Sequence, residues 1–243
     1  MIVVEGKSIY TEPYELVDPT HTALVLVDMQ KDFAEPDGAF GQLGVDLSAY
    51  AELRAHLSAL LESARAAGVT VVHIQMTTLP QRKSDSPAQI RFNMRMHESF
   101  RRSGPPLRYT VVGTDGHEFL DEFGPVEGEF VVQKSRSSAF WGTNLDQLLE
   151  SNGVTSVVVT GLTTEGCVES TARDAQFNDY FVVIVPECVA SDDPAQHDAS
   201  MLLMRNRFDI ISQGDVEAVW STSRARHVEE TDRHDVTANS KGH

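Results

Sequence analysis

The chain has 243 residues, 41% of them hydrophobic, and carries 36 Asp and Glu against 20 Lys and Arg, a formal charge of −16. That balance disfavours a nucleic-acid partner, whose affinity comes largely from Lys and Arg neutralising phosphates, and reads as solubilising charge. Neither a run of about 18 apolar residues nor a basic-then-apolar leader is present, so a cytoplasmic protein with no membrane segment is expected. The two cysteines, Cys167 and Cys188, make no disulfide framework.

Taken in chain order, residues 22–28 (TALVLVD) form a continuous apolar run ending in a carboxylate, the pattern of a buried parallel strand with Asp28 at its functional end. Residues 46–67 place Leu53, Leu57, Leu60 and Leu61 at helical spacing, with Gly68 as the stop. Residues 69–75 (VTVVHIQ) read as the next strand, and 129–133, 154–160 (VTSVVVT) and 180–185 (YFVVIV) as three more. Helices are expected over 143–152 and 165–178. The alternation implies an α/β fold, a three-layer α-β-α sandwich around a mostly parallel sheet of about six strands. Residues 76–127 interrupt it with turn signals around the helical-looking AQIRFNMRMHESF, the mark of a functional lid or an interface arm. The expected organisation is one domain over 1–220 with this insertion, then a polar tail over 221–243 that reads as disordered.

In an open parallel sheet, ligands bind beyond the carboxyl ends of the strands, so polar residues there are the candidates for chemistry. Asp28 and Lys134 end two runs, and Cys167 opens the helix that follows VVVTG. Read singly, Asp28 is a cap or ion-pair partner, Lys134 a surface cation and Cys167 a small buried side chain. Together they supply a base, a cation and a nucleophile, and the positive end of a helix would favour a thiolate. Phe33, Phe140, Trp141 and Thr164 lie near these positions in sequence and are candidates to line a cleft or to pack the interior. Arg173 and Arg205 are candidates to hold a substrate carboxylate or to form surface ion pairs. His73 reads as a packing histidine and Cys188 as structural.

Three stretches, ALVLVDMQKDF, KSRSSAFWGTNLDQLL and VVVTGLTTEGCVESTARDA, occur in the order and spacing of the isochorismatase-like cysteine hydrolases, which the chain resembles over about residues 20–215. The resemblance implies a catalytic triad of Asp28, Lys134 and Cys167, a non-proline cis peptide at Leu162–Thr163, and an oxyanion hole formed by the N–H groups of Thr163 and Cys167. It implies acyl transfer at an amide or ureido carbonyl through a thioester, in a homo-oligomer, a dimer or tetramer. VVHIQMTTLP lacks the Asp-x-His metal motif of nicotinamidases of this fold, so no metal and no cofactor are expected. The vinyl-ether-cleaving isochorismatases lack the cysteine, so its presence favours carbon–nitrogen hydrolysis.

Short stretches are similar to N-carbamoylsarcosine, ureidoacrylate and biuret amidohydrolases, all of which cut small ureido or carbamoyl amides. Asp192 falls, by count from the cysteine, where the first of these carries a carboxylate-binding arginine, a departure that bears on the substrate. Open alternatives are a nicotinamidase- or maleamate-type hydrolase, and a non-hydrolytic binding or redox-sensing protein of the same fold.

Overall fold

The computed structural model describes residues 1–99 and 108–223. An amino-terminal hairpin, β1 (Ile2–Val4) and β2 (Lys7–Ile9), leads through α1 (Pro13–Leu16) to β3 (Thr22–Val27). Short helices α2 (Lys31–Ala34) and α3 (Ala39–Gln42) follow, then the long α4 (Ser48–Ala67) and β4 (Thr70–Met76). The insertion contributes α5 (Pro87–Ser99) before β5 (Phe130–Lys134). The rest alternates as α6 (Leu145–Ser151), β6 (Ser156–Leu162), α7 (Glu169–Phe177), β7 (Phe181–Ala190), α8 (Pro194–Met204), β8 (Asp209–Ile210) and a last helix over 213–223.

The main sheet has six strands in the order β5-β4-β3-β6-β7-β8, every neighbouring pair parallel. The chain builds outward from β3 on one side, then returns to β6 on the other. The switch in direction therefore falls between the carboxyl ends of β3 and β6, where a crevice opens in such sheets.

Both faces are covered, which explains why the strands read as unbroken apolar runs. Leu24 and Leu26 of β3 pack under α4 and the last helix, with Leu53, Leu57, Leu60, Val216 and Trp220. Ala23, Val25 and Val27 point the other way, toward Leu145, Leu149, Ala172, Ala175, Met201 and Met204 of α6, α7 and α8. The leucines of α4 are at most 2% exposed, so each stabilises the fold by roughly 1.5–3 kcal/mol of apolar burial. The helix ends as expected at Gly68, which adopts a left-handed conformation with φ 73°.

At the switch point, β3 and β6 approach so closely that Val27 pairs with Gly161. Gly161 has φ +103°, and a Cβ there would overlap the Val27 carbonyl oxygen. Here the glycine serves close approach as well as backbone freedom.

Several boundaries differ from expectation. β7 runs on to Ala190 after a register shift opposite Val159 and Gly161, because its second half leaves the simple alternation that marked 180–185. The helix expected from residue 165 begins instead with a π-helical turn over Thr164–Val168 ahead of α7. Of the tail, 221–223 continue the last helix, anchored one turn earlier by Trp220, whose Nε1 donates to the Val17 carbonyl at 2.8 Å. This corrects the expectation of disorder for those three residues, and 224–243 lie outside the described residues. Among the described residues, no helix is long and apolar enough to cross a membrane.

Candidate active site

Asp28 is the first residue beyond β3. Its backbone is left-handed, φ 56°, a conformation that costs a non-glycine residue energy but that Asp tolerates better than most. The Asp28 N–H donates to the Ile74 carbonyl at 3.0 Å, which fixes the turn. Lys134 ends β5, two strands away, and Cys167 sits in the π-helical turn after β6.

The structure brings these three together. Lys134 Nζ lies 2.7 Å from Asp28 Oδ2 and 3.2 Å from Cys167 Sγ, and donates to the Arg136 carbonyl at 3.0 Å. Asp28 and Lys134 are 1% and 2% exposed, whereas Cys167 borders an open cavity. Neither Asp28 side-chain oxygen receives a hydrogen bond of regular geometry. Its polar neighbours are the Lys134 ammonium, the Cys167 thiol and the Met76 N–H.

Burial lifts the Asp28 carboxyl above its ordinary range, and the attraction of Lys134 only partly opposes this. Burial works to discharge Lys134, but the charges of Asp28 and Cys167 outweigh it and hold the amine protonated. The Cys167 thiol is pushed up to about 12, by burial first and then by the Asp28 carboxylate, with Lys134 pulling the other way. Cys167 sits in a π-helical turn rather than at the start of a regular helix, and burial and the Asp28 carboxylate both oppose a thiolate there. Both thus favour the protonated thiol, beside which Asp28 and Lys134 lie.

The cavity holds about 320 Å³, ample for a small molecule. Phe33 borders it, with Phe40 and Tyr109. The three rings pack edge to face or tilted at 5.1 to 5.9 Å between centroids. Asp32 clamps this aromatic group, accepting from the Ala39 N–H at 3.0 Å and the Thr110 N–H at 2.5 Å. The insertion supplies another wall through Gln89, Phe92 and Met96 of α5. Gln30 ties the insertion to β4, accepting from the Met76 N–H at 2.7 Å and donating to the His117 carbonyl at 2.7 Å.

Other sequence candidates lie elsewhere. Trp141 is 63% exposed and faces the Arg136 guanidinium at 5.6 Å. Phe140 packs toward the opposite core beside Tyr180, 5.9 Å away, because the chain turns away from the cavity after Ser137. Thr164 is fully buried, its hydroxyl 2.8 Å from His197 Nδ1 on the far side of the turn. The cavity wall has Thr163, Glu165, Gly166 and Cys167 instead.

Arg173 pairs with Glu169 at 2.5 Å along α7, and Arg205 is exposed at the end of α8, so neither reaches the cavity. Asp192 does border it, held by the Tyr50 hydroxyl at 3.0 Å. His73 packs within β4 against Glu129 at 2.8 Å, and Cys188 is fully buried in the core. The peptide between Leu162 and Thr163 is cis. Among the described residues, no group of three or more His, Cys, Asp or Glu side chains is arranged to hold a metal ion.

Sequence reasoning missed the α5 wall, although Gln89, Phe92 and Met96 follow the i, i+3, i+7 spacing of one helical face. It also missed Phe40, Tyr109 and Glu165, which no local pattern distinguishes from packing or capping residues.

Comparison with known proteins places this arrangement. Residues 22–215 match the isochorismatase domain. A ureidoacrylate amidohydrolase from Enterobacter sp. (strain 638) is 34% identical over 179 residues, 72% of this chain and 78% of the relative. The crystal structure of N-carbamoylsarcosine amidase from Thermoplasma acidophilum superposes with a TM-score of 0.61 at 28% identity, covering 79% of this chain and 96% of that one. A cysteine hydrolase from Pseudomonas syringae pv. phaseolicola shares the fold, with a TM-score of 0.72 at 23% identity over 89% of this chain and 99% of its own. With that match across most of its length and the six-stranded parallel sheet, the chain belongs to the isochorismatase family.

Proposed function

We propose that the protein is a metal-independent cysteine amidohydrolase that cleaves a small ureido, carbamoyl or carboxamide compound through a thioester. The reaction class is hydrolysis of a non-peptide carbon–nitrogen bond, as the name of its ureidoacrylate-hydrolysing relative implies. The observation that carries the reading is the buried contact of Lys134 with both Asp28 and Cys167 at the switch point, 2.7 and 3.2 Å.

In this mechanism Asp28 accepts the thiol proton as the Cys167 sulfur attacks the carbonyl carbon. Coupling the two events avoids forming a free thiolate from a thiol pushed up to about 12. The Lys134 ammonium steadies the negative charge developing on sulfur, and the N–H groups of Thr163 and Cys167 receive the carbonyl oxygen as it becomes an oxyanion. As the carbon–nitrogen bond breaks, Asp28 returns its proton to the departing ammonia or amine. Water, deprotonated in turn by Asp28, attacks the thioester and regenerates the thiol.

The reading includes a homo-oligomeric, cytoplasmic enzyme, and a solution mass equal to the monomer would overturn the oligomer.

The test is ammonia release in the presence of chelator across biuret, triuret, ureidoacrylate, N-carbamoyl amino acids, maleamate, nicotinamide and simple amides. Turnover of a ureido or carbamoyl compound, lost in Cys167→Ala, is expected. Equal rates in that variant, or turnover that vanishes with chelator and returns with a divalent metal, would overturn the mechanism.

A further inference from the structure

One side of the cavity beside Cys167 is acidic. Glu165 stands two residues before Cys167 in the turn after β6, and Asp192 two residues beyond the end of β7, the neighbouring strand; both border the cavity. Each carboxylate is held by one oxygen. Glu165 Oε1 accepts from the Thr163 hydroxyl at 3.0 Å, and Asp192 Oδ1 from the Tyr50 hydroxyl at 3.0 Å. Tyr50 is itself fully buried, so Asp192 is anchored to the core. Burial first, and then the neighbouring Asp192 carboxylate with a smaller contribution from Glu165, push the ionisation of this phenol far up.

The second oxygen of Glu165, Oε2, is buried with no partner among the described residues, and Asp192 is half-buried at the edge of the cavity. A buried carboxylate oxygen without a donor is costly, and a native site normally satisfies it. Among the described residues the wall carries no arginine or lysine to balance these charges. Lys134 is engaged by Asp28 and Cys167, Arg82 pairs with Asp85, and Arg136 donates to the Ser84 and Ser135 carbonyls. A substrate carboxylate entering here would meet two anchored anions and, among the described residues of the wall, no arginine or lysine. A cation would meet two oriented acceptors, with the rings of Phe33, Phe40 and Tyr109 bordering the same space.

We propose that Glu165 and Asp192 set the specificity of the site by receiving a cationic nitrogen group, an ammonium or amidinium, at the non-reacting end of the substrate. This rests on the reading of Cys167 as the attacking group, and names the substrate class that the site selects. Gln89 and Gln196, also on the wall, supply neutral polar contacts that do not alter this preference.

Three monosubstituted ureas of equal chain length, ending in ammonium, methyl and carboxylate, form the test. In the native enzyme kcat/KM for the ammonium-ended urea exceeds that for the carboxylate-ended one by about tenfold or more, the worth of one charge-assisted hydrogen bond. Glu165→Gln and Asp192→Asn each lower the ammonium-ended value and narrow the ratio. A native preference for the carboxylate, or equal effects of the substitutions on all three ureas, overturns the proposal.

A second measurement does not depend on hydrolysis. Modification of Cys167 by 2-aminoethyl methanethiosulfonate is compared with that by the anionic 2-sulfonatoethyl reagent, read by mass and normalised to free cysteine. A cation preference that collapses in the Glu165→Gln, Asp192→Asn double variant sustains the proposal even where no urea is hydrolysed, and the amidohydrolase reading then fails alone. No cation preference at Cys167 overturns the proposal even where ureas are turned over.

Discussion

Two buried ionic clusters sit at opposite ends of β5, and they are built to opposite rules. At its start, just before Phe130, Glu129 receives Arg65 at 2.7 and 3.0 Å, His73 at 2.8 Å and the Val126 N–H at 2.9 Å. At its end, Lys134 meets an Asp28 carboxylate that receives no hydrogen bond of regular geometry. Burial works to raise both acids. Donors outweigh it at Glu129, held at about 2, and fail to at Asp28, which stays raised. A satisfied carboxylate is inert, whereas an under-satisfied one is ready to take a proton. That contrast accords with the proposed function, in which the end at Glu129 is structural and the end at Lys134 reactive.

The largest effect that would sharpen the contrast is at Cys167. Cys167→Ser is expected to lower kcat by about three orders of magnitude or more while leaving thermal unfolding nearly unchanged. A variant that keeps its rate would break the reactive half of the comparison. Lys134→Met removes the buried cation while keeping similar length. Hydrolysis should fall by about a hundredfold or more, yet stability should change little, because Asp28 takes up a proton instead of remaining an unpaired charge. A large drop in Tm with full activity would mean that the pair is structural after all.

Glu129→Gln inverts the pattern. It should cost about 1–3 kcal/mol, a few degrees in Tm, and leave kcat/KM within a few-fold of native. Loss of activity without loss of stability would erase the distinction.

The smallest effects lie in pH dependence, and the two acids act with opposite sign. Glu129, whose folded pKa lies below the ordinary 4.5, contributes stability that is full above 4.5 and lost as pH falls toward about 2. Asp28, whose folded pKa lies above the ordinary 3.8, contributes stability present below 3.8 and lost as pH rises through its folded value. Denaturant unfolding across pH should therefore lose its acid-side slope in Glu129→Gln and the opposing slope in Asp28→Asn. The acid limb of kcat/KM should lie above 3.8, since ionised Asp28 is the base. An acid limb at or below 3.8 would dismiss Asp28 from that role.

Much of the sheet was legible because its strands are buried on both faces and read as plain apolar runs. The meeting of Asp28, Lys134 and Cys167 was legible because two of them end strands and the third opens the turn after β6, and the carboxyl ends of parallel strands gather at one edge. Phe140 and Trp141 misled because closeness in sequence to Lys134 is not closeness in space once the chain turns after Ser137. The helix of the insertion was legible in AQIRFNMRMHESF, but the face it turns to the cavity was not, since the turns around it do not show where the insertion folds back. Glu165 and Asp192 were illegible as a pair, since their meeting depends on β6 and β7 lying side by side and on Tyr50 arriving from α4. No local pattern carries that information.

Gly161 shows how the reactive end is gauged. The gap between the strand that delivers Asp28 and the strand that delivers Cys167 is set by a methyl group that is not there, since a Cβ would strike the Val27 carbonyl. The residue brings no side chain of its own to the cavity, yet its bareness lets β3 and β6 lie side by side where Asp28 and Cys167 meet. The spacing of a site can thus be written into a sequence as an absence of side chain, at a position no inventory of reactive groups would include.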